Sequence, residues 1–199
     1  ALDSMSGLTS QPSLNTIVAM LAGDPRDPKL DPRALRELAD YFEGVRRFYS
    51  PFESEIRSGT ADVYHHEMPG GQYTNLREQA RAIGLEHRWP EVSKAYAEVN
   101  RLFGDIVKVT PTSKVVGDMA IMMVANDLTA EDVADPAREV AFPESVVSLF
   151  RGELGFPPDG FPEALGRKVL KDTPPAPYRP GDRIPPADMD AMRAQAEKE

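Results

Sequence analysis

The residue pattern predicts a mostly helical protein, on three observations. Apolar residues recur at helical spacing in one segment after another, hydroxyl residues and prolines stand where helices open, and strand-like alternation is scarce. Residues 1–6 are too short to classify by period and read as a strand or extended segment. Gly7 breaks that pattern, and Thr9-Ser10-Gln11-Pro12-Ser13 supplies hydroxyls and a proline of the kind that open helices. Leu14, Ile17, Val18 and Leu21 follow at helical spacing, with Gly23 as a stop. Asp31-Pro32 pairs an N-cap with a proline at the first helical position. Leu35, Leu38, Phe42, Val45 and Tyr49 then form one face, and Arg36, Glu37, Asp40, Glu43 and Arg47 the other, which predicts an amphipathic helix packed on a core.

Val63 and Tyr64 form a short candidate strand, Pro69-Gly70-Gly71 a turn, and a helix starts near Thr74-Asn75. Another runs from Pro90 with Val92, Ala95, Tyr96, Val99 and Leu102 on one face. Residues 106–109 read as extended. Thr110-Pro111-Thr112-Ser113 then caps a helix whose body, Val115 to Val124, is apolar nearly all round and therefore buried. Helices near 144–154 and 162–170 open on Pro143 and Pro162. From residue 173 to 186 there are six prolines (Pro174, Pro175, Pro177, Pro180, Pro185, Pro186), too many for a regular helix, so the stretch reads as a connector. Residues 188–199 are charged and helix-prone. There are no internal repeats, and pattern alone gives an all-α domain.

Composition narrows the function classes. With 199 residues and 41% apolar content the chain is long enough, and apolar enough, to fold around a core. A formal charge of −9 argues against a nucleic-acid partner, which would need clustered Lys and Arg. The absence of cysteine removes disulfides, thiolate nucleophiles and cysteine-ligated metals. The longest apolar run, Met119 to Ala125, is far short of the roughly 20 residues of a membrane span. The first residues carry no basic flank followed by an apolar stretch, so no signal peptide is visible and a soluble intracellular protein is expected.

Taken without any family, the chemistry-bearing residues say little. On a strand, the adjacent His65 and His66 would point to opposite faces and share no metal; with His87 they read as surface or packing residues. Pro69-Gly70-Gly71-Gln72 lacks the glycine fingerprint and lysine of a phosphate loop and reads as a tight turn. The methionine stripe at 119–123 reads as core. Thr9 to Ser13 concentrates hydrogen-bonding groups, but an elaborate N-cap is the favoured explanation, since Ser and Thr lead at that position. On these grounds an enzyme and a helical interaction module stay equally open.

Longer segments settle more. Asp3-Ser4-Met5-Ser6-Gly7-Leu8-Thr9-Ser10-Gln11-Pro12-Ser13 resembles the loop after the last barrel strand of the pyruvate carboxylase family's carboxyltransferase. His66-Glu67-Met68-Pro69-Gly70-Gly71-Gln72-Tyr73-Thr74-Asn75-Leu76, Phe103 to Pro111, Ser113 to Ala120, Phe142 to Val147 and Gly160 to Glu163 follow in that family's order. The resemblance covers about residues 1–172 and continues more weakly into the proline-rich tail. Decarboxylase and transcarboxylase relatives share the Thr-Ser-Gln-Pro loop and a Pro-Gly-Gly turn, but Gly104 to Val109 and Phe142 to Val147 look like pyruvate carboxylase.

The resemblance implies a fold that pattern alone does not: the last β-strand and helix of a (β/α)₈ TIM barrel in residues 1–29, a helical C-terminal extension in 30–172, and in 173–199 a linker entering the allosteric, tetramer-forming domain. It implies transfer of a carboxyl group from carboxybiotin to pyruvate to form oxaloacetate. Thr9 is the implied catalytic proton shuttle, and Thr9, Ser10, Gln11 and Ser13 are the implied substrate and biotin-binding residues, the last three mainly shaping the loop. The implied cofactors are biotin, held covalently on a domain absent here, with a divalent metal (Mn, Zn or Mg) and ATP with Mg in the full enzyme. The family's metal ligands (an Asp, a carbamylated Lys and a His-x-His pair) and its pyruvate-holding Arg and Gln belong to earlier strands. This sequence has no His-x-His and no Met-Lys-Met biotin site. The segment alone is therefore expected to bind no metal and to be inactive. Its implied partners are the rest of the subunit, within a homotetramer, in a bacterial cytoplasm or a mitochondrial matrix, with no nucleic acid and no membrane. The rival from another class is a non-catalytic fragment or split subunit that docks on the remainder of a barrel.

Overall fold

A computed structural model describes residues 1–10, 12–171 and 173–197. Among them are ten α-helices and no strand. In chain order the helices are α1 (Leu14–Leu21), α2 (Pro32–Tyr49), α3 (Val63–His66), α4 (Gly70–Ala82), α5 (Trp89–Leu102), α6 (Thr112–Ala125), α7 (Ala130–Ala134), α8 (Glu144–Phe150), α9 (Glu163–Leu170) and α10 (Met189–Ala196).

The expected strand at residues 1–6 is instead a 3₁₀ turn over Asp3–Met5. A lone strand has no neighbour to take its backbone groups. Here they close locally, Met5 N on Leu2 O at 2.9 Å and Ser6 N on Asp3 O at 3.3 Å. The loop then folds back, so that Leu14 N donates to Ala1 O at 2.7 Å. Val63 and Tyr64, also expected in a strand, start the single turn α3.

The N-terminal turn and α1 pack on α2, burying Val18, Leu35 and Ala39. Asp31 caps α2 by accepting from Arg33 N at 2.9 Å. The buried stripe of α2 is narrower than its apolar period suggests. Leu35 and Ala39 are covered, whereas Leu38, Tyr41, Phe48, Tyr49 and the following Phe52 are exposed.

The main core lies between Met68 and Leu170. Helix α6 is its axis: α4, α5 and α8 all pack against it, and Val115, Val116, Met119, Ala120, Met123 and Val124 are buried. This is the burial expected of a helix apolar on every side. Gly117 lets α4 come close, since a Cβ there would lie 2.4 Å from Gln72 Nε2 and 2.8 Å from Leu76 Cδ1. At the other end Phe150 meets Phe103 edge-on with centroids 5.2 Å apart and stacks on Phe161 at 4.5 Å. The fully buried rings Phe103 and Phe150 each contribute about 1.5–3 kcal/mol by burial. Ser145 Oγ donates to Asp118 Oδ2 at 2.7 Å, tying α8 to α6.

Thr110 to Ser113 does not cap α6 as its hydroxyls suggest. Pro111 is the N-cap and makes no side-chain cap. Thr112 Oγ1 instead lies 2.6 Å from both Val107 O and Val109 O, so its one hydrogen pins the preceding loop. Helix α7 was not expected. Its Thr129–Asp132 capping box stabilises a piece too short to show a period. The proline-rich tail crosses back over the helical unit, Ala176 N donating to Arg151 O at 2.9 Å, and α10 is exposed on all sides.

Candidate active site around Thr9

The loop Gly7 to Ser13 and the N-terminal turn of α4 meet although about 60 residues separate them in sequence. Thr9 Oγ1 lies 2.9 Å from Thr74 Oγ1 in a partly buried contact. Thr74 Oγ1 donates to Gly70 O at 3.2 Å. Gly70 permits the approach, because a Cβ on it would sit 1.6 Å from Thr9 O and 2.8 Å from Thr9 C. Its neighbour Gly71 would meet nothing within 4 Å. Read from sequence as half of a tight turn, Gly70 is the first residue of a helix, and its missing side chain is filled by the Thr9 backbone.

A cavity of about 230 Å³ opens beside this contact. Thr9 and Ser10 line one side, and Val63, His66, Met68 and Tyr73 supply other walls. Hydroxyls therefore face apolar and aromatic surface, the mixture usual for small-molecule sites. His66 is 7% exposed. Its Nδ1 accepts from Met68 N at 2.9 Å, so in the neutral ring the proton sits on Nε2. Burial pushes the His66 pKa down, against a smaller upward pull from Asp62. The Tyr73 ring lies 4.9 Å from the His66 ring and 5.1 Å from Trp89, whose indole N–H donates to the Tyr73 hydroxyl at 3.2 Å.

The α3–α4 connection is anchored from below. Glu67 holds the left-handed C-cap of α3, with φ 59°. Its carboxylate accepts from Lys108 Nζ at 2.8 Å, and this bond holds the Glu67 pKa below the usual carboxylate range. With the Asn100 amide turned to satisfy its neighbours, Asn100 accepts from Lys108 Nζ at 3.0 Å and donates to Ile106 O at 3.2 Å.

The four residues singled out from sequence divide. Thr9 and Ser10 line the cavity, and Ser10 Oγ also donates to Met5 O at 3.3 Å. Ser13 lies outside it: its hydroxyl donates to Asp3 and caps α1 by accepting from Thr16 N at 3.1 Å. Gln11 falls outside the described residues. Gly70, Tyr73, Thr74 and His66 were missed as site residues, although all four stand in the His66–Leu76 segment that carries the family resemblance. Among the described residues no three His, Asp or Glu side chains converge on a point that could hold a metal ion.

Comparison with known proteins gives this geometry its context. The model of a conserved carboxylase domain matches residues 63–199. The pyruvate carboxylases of Bacillus subtilis and Schizosaccharomyces pombe are 48% and 53% identical to the chain over 98% and 97% of its length. The chain belongs to the pyruvate carboxylase family. It spans 17% and 16% of the length of those two relatives. Among solved structures, the complete multifunctional pyruvate carboxylase of Rhizobium etli aligns over 100% of the chain and 18% of its own, at 57% identity and TM-score 0.89. The carboxyl transferase domain of the same protein, solved with pyruvate and biocytin, aligns over 100% of the chain and 33% of its own at TM-score 0.87. The family's carboxyl transferase domain is therefore the context of the Thr9 cavity.

Proposed function

We propose that this chain is the C-terminal third of the carboxyltransferase of a pyruvate carboxylase, and that Thr9 moves protons in the transfer of a carboxyl group from carboxybiotin to pyruvate. The observation that carries this reading is Thr9 lining a cavity, with its hydroxyl 2.9 Å from that of Thr74 and its backbone in a contact that only glycine at position 70 allows. A relative 57% identical was solved with pyruvate and biocytin, which supports the substrate assignment.

The described residues do not fit the implied divalent metal, because no set of ligands converges. No step is routed through it, and its ligands are assigned to the rest of the subunit. They do fit the head of biotin, whose urea group and thioether ring match a site of hydroxyls beside apolar walls. Biotin, carried on another domain, supplies the carboxyl group. Thr9 Oγ1 gives its proton to the released biotin and receives one from the pyruvate methyl, so the hydroxyl ends as it began. Ser10 shapes the same wall, Gln11 keeps the biotin-binding assignment that the family resemblance implies, and Ser13 holds the loop by capping α1. Burial lowers the His66 pKa and so favours the neutral ring in the cavity wall.

Residues 1–29 are assigned to the end of the barrel, 30–172 to its helical extension and 173–199 to the linker. A homotetramer in a bacterial cytoplasm or mitochondrial matrix, with ATP and Mg used elsewhere in the subunit, completes the reading. The test is Thr9→Ala in the complete enzyme. Oxaloacetate formation should fall by at least about 100-fold, the scale of general acid–base catalysis, while ATP-dependent carboxylation of biotin persists. Loss of both half-reactions points to a structural role for Thr9, and retention of both removes it from the chemistry.

A further inference from the structure

The proton bookkeeping at Thr74 goes further than the identity of the shuttle. A threonine hydroxyl has one hydrogen to donate and two lone pairs to accept with. Gly70 O can only accept, so in one arrangement the Thr74 hydrogen lies on the 3.2 Å contact to it. The 2.9 Å contact between the two hydroxyls must then carry the hydrogen of Thr9, which points at Thr74 and leaves lone pairs for the cavity. In this arrangement Thr9 can accept a proton but cannot donate one into the site.

Rotation of both hydroxyls reverses the arrangement with no movement of heavy atoms. Thr74 releases Gly70 O and donates to Thr9 Oγ1, and Thr9 points its hydrogen into the cavity. Gly70 O is not stranded, because it opens a regular helix and takes the amide four residues on. One neutral hydrogen bond replaces another, so the two arrangements lie close in energy. We infer that Thr74 is a positioning residue that switches Thr9 between acceptor and donor, and that its hydroxyl stabilises the negative charge on Thr9 Oγ1 while that oxygen is without its proton.

The balance closes. The Thr9 proton passes to a biotin nitrogen, and the Thr74 O–H then points at the charged Thr9 oxygen, a donor already in place where charge develops. Thr9 Oγ1 next takes a proton from the pyruvate methyl, whose C–H electron pair becomes available for the new bond to carbon dioxide. Neither threonine gains or loses a proton over the cycle. Thr74 serves this role because of where Gly70 allows Thr9 to sit. An ordinary helical threonine that only bonds back to its own i−4 carbonyl has no second hydroxyl to direct.

The inference rests on the assignment of Thr9 as the shuttle, and the experiment separates the two. Thr74→Val keeps the shape and removes the hydroxyl; Thr74→Ser keeps the hydroxyl and removes a methyl. In the complete enzyme, Thr74→Val should lower kcat for oxaloacetate formation by about 100-fold, the usual loss for one donor at developing charge. The KM for pyruvate should stay within about twofold, as expected for an interaction made only in the transition state. The isotope effect with methyl-deuterated pyruvate should rise, and Thr74→Ser should recover most of kcat. Near-normal kcat in Thr74→Val, or equal impairment in Thr74→Ser, overturns the inference. Near-normal transfer in Thr9→Ala overturns the reading beneath it, whatever Thr74 does.

Discussion

Gly70→Ala is the sharpest perturbation of this site, because the structure states how large the clash is. The added Cβ would lie 1.6 Å from Thr9 O, whereas a carbon and a carbonyl oxygen rest at about 3.3 Å or more, so the two must separate by about 1.7 Å. Neither side is a flexible side chain. Gly70 is the first residue of α4, whose opening is fixed by Tyr73 N on Pro69 O at 2.9 Å. Thr9 sits in a loop where, among the described residues, Ser10 N donates to Gly7 O at 2.9 Å. The loop should yield, carrying the Thr9 hydroxyl off Thr74. A displacement of about 1 Å at a reacting group costs on the order of 100-fold in rate. Stability should fall by about 1–3 kcal/mol from overpacking, reduced by up to about 1 kcal/mol because alanine is the better helix former. Gly71→Ala is the matched control: the same substitution in the same turn, with no atom within 4 Å of the new Cβ. Oxaloacetate formation by the complete enzyme, followed by coupled NADH oxidation, should drop about 100-fold in Gly70→Ala and stay within about twofold in Gly71→Ala. If Gly70→Ala transfers carboxyl groups within threefold of the parent enzyme, the claim that this contact places Thr9 is wrong.

Two further outcomes follow from the same geometry. A polypeptide of residues 1–199 alone should form no oxaloacetate from pyruvate and carboxybiotin, since no described residues gather to hold the metal; measurable turnover by that purified segment would overturn the division of labour proposed for the subunit. His66 should make the segment acid-sensitive. Its folded pKa lies below its unfolded value of about 6.5, so the unfolded chain takes up the proton first, and stability is lost as pH falls from about 6.5 toward the folded pKa. Urea unfolding of the segment, followed by fluorescence of its single tryptophan, Trp89, should therefore show a larger loss between pH 7.5 and 5.5 than in His66→Gln. Equal losses in the two proteins would assign the acid sensitivity to other groups.

Helix content was legible in the sequence because it depends on local spacing. Leu14 to Leu21, Val92 to Leu102 and Val115 to Val124 each form a helix where their apolar residues recur, although α1 buries only Val18 of its marked face while α5 and α6 bury most of theirs. Asp31-Pro32 and Pro162 sit at helix starts, where short polar side chains and a fixed φ suit the first turn. The family resemblance pointed to Thr9 and to the His66–Leu76 segment before any coordinate. Other elements needed the fold. Val63-Tyr64 carries strand-forming side chains and residues 1–6 are too short to show a period, but a strand needs a partner for its backbone groups, and both segments close into helical turns here. The face of α2 that carries Leu38 and Tyr49 looks like core by period, yet both side chains are exposed. Pro69-Gly70-Gly71 has the composition of a turn, and nothing within a few residues says that a helix starts there. The need for glycine at position 70 comes from the Thr9 backbone, about 60 residues away, which occupies the space a side chain would take. The chemistry proposed for Thr9 has the same origin. Sequence named the hydroxyl, but its direction depends on Thr74 and on a glycine carbonyl, and hydrogen bonds act over about 3 Å of space whatever the separation along the chain.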